Sequence, residues 1–374
     1  MTTPFDYFER VFPAALVHRL FCGVGRARHV VVSREPDFYK HFAATTFSSP
    51  ADLVGLIQYW HTADETGAHK LTLPRALWQC TTLHLGWILA ERHPLPPRGD
   101  KLDNYQFEIA FDLDLPTFDE REHQKIFPIR DGFLCDCAST HAGCCRSCWL
   151  LVRLARAALT HLVPPEWGPG LWIYSGGKGA HCLYGSEAAR SFPKEMRKKF
   201  AVSLLDAAEG RETVSPALVA VLKQVWETAG VRELKVLARD NACHILANAY
   251  LVPNSPAHTK FLAAVAKTTD SALRWAAFVR FGNADVVQKV VCAMGLPRLD
   301  TNPLSQTRAR IKSPFSLHMT SRRVALPLPD TAFESFDPRN APSLNMEPDA
   351  LRTSLQASRV YLEEWLNTNK YDTG

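Results

Sequence analysis

Asp112 and Asp114 lie in the run Tyr105–Leu115. There Phe107, Ile109, Phe111, Leu113 and Leu115 alternate with Glu108, Ala110, Asp112 and Asp114. A period of two is that of a strand, and residues i and i+2 of a strand share a face, roughly 7 Å apart along it. Two carboxylates so placed repel and raise each other's pKa unless a cation sits between them. Magnesium or manganese removes that conflict, and such pairs hold two divalent ions where phosphoryl groups are transferred. The plainer reading is a solvated face on an edge strand. The strongly apolar flanks argue instead for a central strand. Asp300, in Leu296–Asp300, supplies a third carboxylate if the sheet brings it beside this pair.

Three further groups carry chemistry. Ser175-Gly-Gly-Lys-Gly-Ala-His181 is glycine-rich but not a P-loop: no glycine stands five positions before Gly177, and no Ser or Thr follows Lys178. It reads as a hairpin between strands Leu171–Tyr174 and His181–Tyr184, presenting Ser175, Lys178 and His181. Lys178 and exposed backbone N–H groups of such a turn can hold a triphosphate, although a hairpin with a surface lysine is the simpler account. Lys312 to His318 places a basic group and an imidazole on an extended segment. Finally, Cys135, Cys137, Cys145 and Cys148 suit a closed, structural zinc site, with His141 and Cys144 as rivals for one place. Chance clustering of buried thiols is the alternative.

The chain that must position these groups has 374 residues, 46% hydrophobic and 22% charged, which excludes a disordered protein. That length suits two domains, or one with a large insertion. The balance of 43 basic and 38 acidic residues permits a nucleic-acid partner through a local patch without requiring one. No apolar run approaches the ~18 residues of a membrane span, and no secretory leader is expected. Five of the ten cysteines fall between Cys135 and Cys148, which points to an intracellular, reducing compartment.

Apolar spacing predicts helices over 5–21, near Ala51–Tyr59, over Trp149–Leu162, and over Glu195–Ala208, Pro216–Ala229, His258–Ala266 and Thr269–Met294. A final amphipathic helix is expected over Glu347–Asn369. His29–Ser33 is a short apolar run, Leu83–Ala90 reads as a buried strand, and Pro94–Pro97 as a loop. The order is mixed α/β, then helical, then α/β. The expected fold is an α/β core over 1–190 and 291–374, interrupted by a helical subdomain over 191–290, with the zinc motif at 133–149 inside the core.

In order and spacing, these pieces resemble the catalytic small subunit of the archaeal and eukaryotic DNA primase family. The Phe-Asp-Ile-Asp of the eukaryotic branch is matched by Phe111–Asp114, followed by Phe118-Asp119-Glu120. Its Cys-x-x-Cys-Trp is matched by Cys145–Trp149, and its Trp-Val-Tyr-Ser-Gly-x-x-Gly-x-His-Cys by Trp172–Cys182. Its Pro-Arg-Leu-Asp and Lys-Ser-Pro-Phe-Ser-x-His recur as Pro297–Asp300 and Lys312–His318. The resemblance implies a mixed-sheet core with an inserted helical subdomain and a zinc motif. It implies that Asp112, Asp114 and Asp300 bind two Mg²⁺ or Mn²⁺ ions, and that Ser175, Lys178, His181, Lys312 and His318 hold a nucleoside triphosphate.

The implied activity is DNA-directed synthesis of short RNA primers on single-stranded DNA. The implied partners are a large primase subunit and a replicative DNA polymerase complex, in the nucleus, with an organelle as the other possible setting. The chain departs from the family pattern at several places. Gly177 stands where the family usually has a basic residue. No arginine precedes Phe47, His41 being the nearest basic candidate. Thr82-Leu-His84 replaces a Lys-x-Asp ahead of Leu85-Gly86-Trp87, and the zinc segment has Cys-x-Cys where relatives have adjacent cysteines. These departures leave room for a deoxynucleotide-preferring primase-polymerase or a non-catalytic scaffolding member.

Overall fold

The computed structural model describes residues 1–22, 28–34, 38–42, 49–62, 81–88, 108–114, 133–134, 144–208, 213–296, 299–300, 304, 311–318 and 320–371. Nine strands form two antiparallel sheets among these residues. In chain order they are β1 (Arg28–Arg34), β2 (Phe38–Phe42), β3 (Thr81–Ile88), β4 (Ile109–Asp114), β5 (Leu171–Tyr174), β6 (Gly179–Tyr184), β7 (Leu299–Asp300), β8 (Ile311–Lys312) and β9 (Leu326–Pro327). One sheet has the order β2-β1-β3-β8, the other β7-β4-β6-β5-β9. The architecture is mixed α/β.

β4 is an interior strand. Ile109, Ala110, Phe111 and Leu113 are buried on its two faces while Asp112 is partly exposed, and β4 lies between β7 and β6, so the apolar flanks do mark a central position. β5 and β6 are buried throughout, which explains why their sequences are nearly continuous apolar runs. Phe111 meets Tyr184 edge-on across the β4–β6 pair.

From Lys194 to Gly295 every regular element described is helical, with its own apolar core around Trp226, Phe261, Trp275 and Phe278. The Arg146–Leu162 helix serves both cores. Trp149, Val152, Ala155 and Leu159 pack with the five-stranded sheet, while Leu150, Leu151, Leu154 and Ala158 pack with the helices. Arg153, buried on the same helix, pairs with Glu233 of the helical region at 2.9 Å and with Glu334 of the C-terminal part at 2.6 Å. A charge removed from water here is retained because two carboxylates meet it.

Several sequence expectations need correction. The helix expected over Pro216–Ala229 ends at Val225 and continues as a wide turn over Trp226–Glu233, and the one expected over Glu347–Asn369 is two. The helix expected over 5–21 is a short turn at Pro4–Asp6, a wide turn at Tyr7–Val11 closed by Phe12 N–H on the Tyr7 carbonyl (2.7 Å), and a helix at Ala14–Cys22. Pro13, which has no N–H, separates the last two. The helix expected over Thr269–Met294 is two, Ser271–Phe281 and Ala284–Gly295, because Asn283 caps the second by accepting from Val286 N–H at 2.9 Å. The helix at Asp240–Tyr250 was not anticipated. It is held by Arg274, whose guanidinium donates to Asp240 and to the Leu237, Ala238 and Val265 carbonyls.

The C-terminal segment forms helices Pro348–Ser354 and Gln356–Thr368 and packs back on the core. Trp365 donates to the Pro169 carbonyl at 2.9 Å, and the Tyr371 hydroxyl donates to the buried Glu108 carboxylate just before β4. Among the described residues no helix is long and apolar enough to cross a membrane.

Candidate active site

Antiparallel register decides which carboxylates meet. On β4, Asp112 lies opposite His181 of β6 on one side and opposite Asp300 of β7 on the other, and Asp114 lies opposite Gly179. Residues directly opposite on neighbouring strands share a face, with Cβ atoms about 4.5–5.5 Å apart. Asp300, almost 190 positions further along the chain, is thus the cross-strand neighbour of Asp112. Like charges opposite one another destabilise a sheet, and divalent cations are what such a donor set accommodates. On the other side, His181 Nε2 lies 3.4 Å from Asp112 Oδ1, with the imidazole buried.

The hairpin joining β5 to β6 is built around Ser175. Its Oγ accepts from Gly177 N–H (3.3 Å) and Gly179 N–H (3.2 Å), while its own N–H donates to the Gly179 carbonyl (3.1 Å). A hydroxyl offers two acceptor lone pairs and one donor. With both lone pairs engaged, Ser175 is left to act as a donor. The Ser175, Gly177 and Gly179 N–H groups are thus engaged within the hairpin itself.

A second segment meets this hairpin. Lys312 sits on β8 of the other sheet and donates to the Ser175 carbonyl at 2.9 Å, so one ammonium links the two sheets. Ser321 Oγ donates to the Gly176 carbonyl, and Tyr174 OH donates to the Gly177 carbonyl at 3.0 Å. Gly176 has φ +81, the left-handed region, and a Cβ there would lie 2.8 Å from His318 Cβ. At Gly177 a Cβ would lie 2.6 Å from His318 Nε2. The imidazole of His318 thus lies directly against Gly177, and a side chain at this position would have to displace it.

His318 Nδ1 accepts from Ser321 N–H at 3.2 Å, which leaves the ring proton on Nε2. Burial pushes its pKa down to about 4, and the charges of Lys312 and Arg323 add to the effect. At neutral pH it is therefore an uncharged donor. The Arg323 charge and hydrogen bond also act on Tyr174, whose burial nevertheless raises its phenol above the ordinary range. Ser321 and Arg323 carried no signal in the sequence, since they reach Gly176 and Tyr174 across more than 130 positions.

Other expected residues fall as follows. Thr82 and His84 lie on β3, with His84 in register with Lys312. His41 lies on β2 opposite Val31, and Phe47 is outside the described residues. Cys145 and Cys148, at the start of the Arg146–Leu162 helix, have sulfurs 3.8 Å apart. Two thiolates on one tetrahedral zinc, at bond lengths of ~2.3 Å, come about that close. Cys144 Sγ instead donates to the Cys145 carbonyl at 3.4 Å and packs in the sheet core. Cys135, Cys137 and His141 lie outside the described residues. Among the described residues no three His, Cys, Asp or Glu side chains form a group able to hold a metal.

The register-paired carboxylates, the glycine-rich hairpin and the Lys312–His318 segment lie within one mixed α/β frame. A family model described as DNA primase small subunit matches residues 111–329, more than half of the chain, and the chain belongs to that family. It is 23% identical over 318 residues to a DNA primase small subunit of Drosophila melanogaster, covering 73% of this chain and 66% of the relative. It is 25% identical over 289 residues to one of Caenorhabditis elegans (67% and 66%), and 24% over 267 residues to one of Schizosaccharomyces pombe (64% and 56%). The chain thus spans between 56% and 66% of the length of these relatives.

Proposed function

We propose that this chain is a catalytic primase subunit that joins ribonucleoside triphosphates into short primers on single-stranded DNA. The observation that supports this most directly is the register that sets Asp300 opposite Asp112, inside the stretch matching the family. Asp112, Asp114 and Asp300 would hold magnesium or manganese, which when bound lowers the pKa of an attacking 3′ hydroxyl and neutralises the leaving pyrophosphate. The remaining work falls to the chain's own groups. Lys178 and Lys312 supply fixed positive charge for the phosphates, and the Ser175 hydroxyl and neutral His318 Nε2–H supply directed donors. His181 orients Asp112 through the 3.4 Å contact. No protein nucleophile is required.

Cys145 and Cys148 would supply half of a structural zinc site, with Cys135 and Cys137 completing it. Membership of the small-subunit family supports a large primase subunit as partner; a replicative polymerase complex and a nuclear setting are further parts of the proposal. The register of His84 with Lys312 favours one second reading, a preference for deoxynucleotides, because the divergent Thr82–His84 stretch then borders the triphosphate. Incorporation of labelled ribo- and deoxynucleotides on single-stranded DNA tests both readings. Asp112→Asn should abolish incorporation with an unchanged melting temperature; wild-type rates in that variant would refute the active-site assignment.

A further inference from the structure

Lys312 and His318 stand at the two ends of a segment that makes an uncommon turn. Phe315, between them, has φ +60 although it is a bulky residue and wholly buried. Non-glycine residues in the left-handed region cost on the order of 1–3 kcal/mol and persist only where their surroundings impose them. Arg322, just after His318, is also left-handed, at φ +58.

What imposes the turn is visible in the hydrogen bonds. Phe315 N–H donates to the Ala325 carbonyl (2.6 Å), Ala325 N–H to the Ser316 carbonyl (2.7 Å), and Ser316 N–H to the Ser313 carbonyl (3.2 Å). The Phe315 carbonyl, at the centre of the turn, accepts from the hydroxyl of Tyr7 at 2.7 Å, a contact made 308 positions away. Tyr7 is fully buried, and burial holds its phenol protonated across the accessible pH range. It sits in the wide turn Tyr7–Val11 and contacts Phe8 and Phe12, which restricts its ring.

We propose that Tyr7 is a positioning residue of the nucleotide site: its hydroxyl holds the Phe315 peptide in its left-handed turn and thereby sets Lys312 and His318 against the Ser175–Lys178 hairpin. This rests on the proposed triphosphate site and adds to it a contact from the N-terminus. Release of the Phe315 carbonyl lets the peptide relax toward ordinary φ, and that rotation moves both flanking residues. Lys312 then leaves the Ser175 carbonyl, and the His318 ring leaves the surface of Gly177.

Tyr7→Phe, which removes only the hydroxyl, is compared with wild type and with Lys312→Ala in the full chain. The readouts are KM and kcat for ribonucleoside triphosphate incorporation, melting temperature, and equilibrium binding of ATP. The expected result is a KM roughly three- to tenfold higher, the range covered by loss of one neutral hydrogen bond, with kcat little changed and ATP binding weakened in step. Faster hydrogen exchange over 311–325 should accompany it. If Tyr7→Phe lowers the melting temperature but leaves KM and ATP binding unchanged, while Lys312→Ala weakens both, Tyr7 is only a packing residue and the proposal fails with the site intact. If Lys312→Ala also leaves ATP binding unchanged, the triphosphate site itself is wrong and the proposal falls with it.

Discussion

Gly177→Ala isolates one contact. Gly177 has no left-handed φ, so its backbone tolerates alanine and only the added methyl matters. That methyl would stand 2.6 Å from His318 Nε2, 3.0 Å from Cδ2 and 3.4 Å from Cε1, whereas ordinary contact begins at 3.4 Å, so the imidazole must withdraw by about 0.8 Å. The ring is not free to do so. Its Nδ1 accepts from Ser321 N–H, and the His318 N–H donates to the Arg323 carbonyl at 2.8 Å. Withdrawal breaks or stretches at least one of these bonds, at a cost of about 0.5–1.5 kcal/mol each. It also carries the Nε2–H donor off its line to a phosphate oxygen, and misplacement by ~1 Å can cost about a hundredfold in rate. Labelled-nucleotide incorporation on single-stranded DNA should therefore show kcat/KM falling about ten- to a hundredfold, with a melting temperature within a few degrees of wild type. The same change in a His318→Ala background should have little further effect, because the clash has gone; this makes a double-mutant cycle. A Gly177→Ala enzyme within about twofold of wild type, or an effect that persists undiminished in the double variant, would refute the reasoning.

Two further outcomes follow from other parts of the molecule. His318, at about 4 in the folded chain against 6.5 ordinarily, resists protonation when folded. The stability it contributes is complete above pH 6.5 and lost as pH falls toward 4, by at most ~1.4 kcal/mol per unit. Urea unfolding between pH 7.5 and 5.0 should show a shallower loss in His318→Gln than in wild type, and identical slopes would contradict the assignment. If Cys145 and Cys148 are half of a zinc site, elemental analysis should find about one zinc per chain, and Cys145→Ser should lose it with a lowered melting temperature. Full metal content in that variant would exclude Cys145 as a ligand.

Local pattern carried much of the secondary structure. The period-two run that ends in Asp114, the apolar stripe from Arg146 to Leu162 and the paired runs around the glycine-rich hairpin each state their own geometry, because side-chain direction repeats at two or 3.6 residues wherever one face is buried. The same reasoning joined Ser271–Phe281 to Ala284–Gly295, since periodicity continues across a cap that only the Asn283 side chain reveals. It passed over Asp240–Tyr250, which depends on Arg274 from a later helix.

The residue types of the candidate site were legible in motifs, but their mutual placement was not. Whether Asp300 meets Asp112 depends on the register of β7 against β4, which side-chain burial over the whole sheet selects and no short window contains. The occupation of the hairpin N–H groups by Ser175, the neutrality of His318 among cations, and the reach of Tyr7 to Phe315 likewise arise from groups brought together by folding. Hydrogen bonding and desolvation act over a few ångströms in space, whatever the separation along the chain. Sequence by itself thus determined most of the elements around the candidate site and the chemical inventory of this protein. Tertiary structure decided which members of that inventory touch.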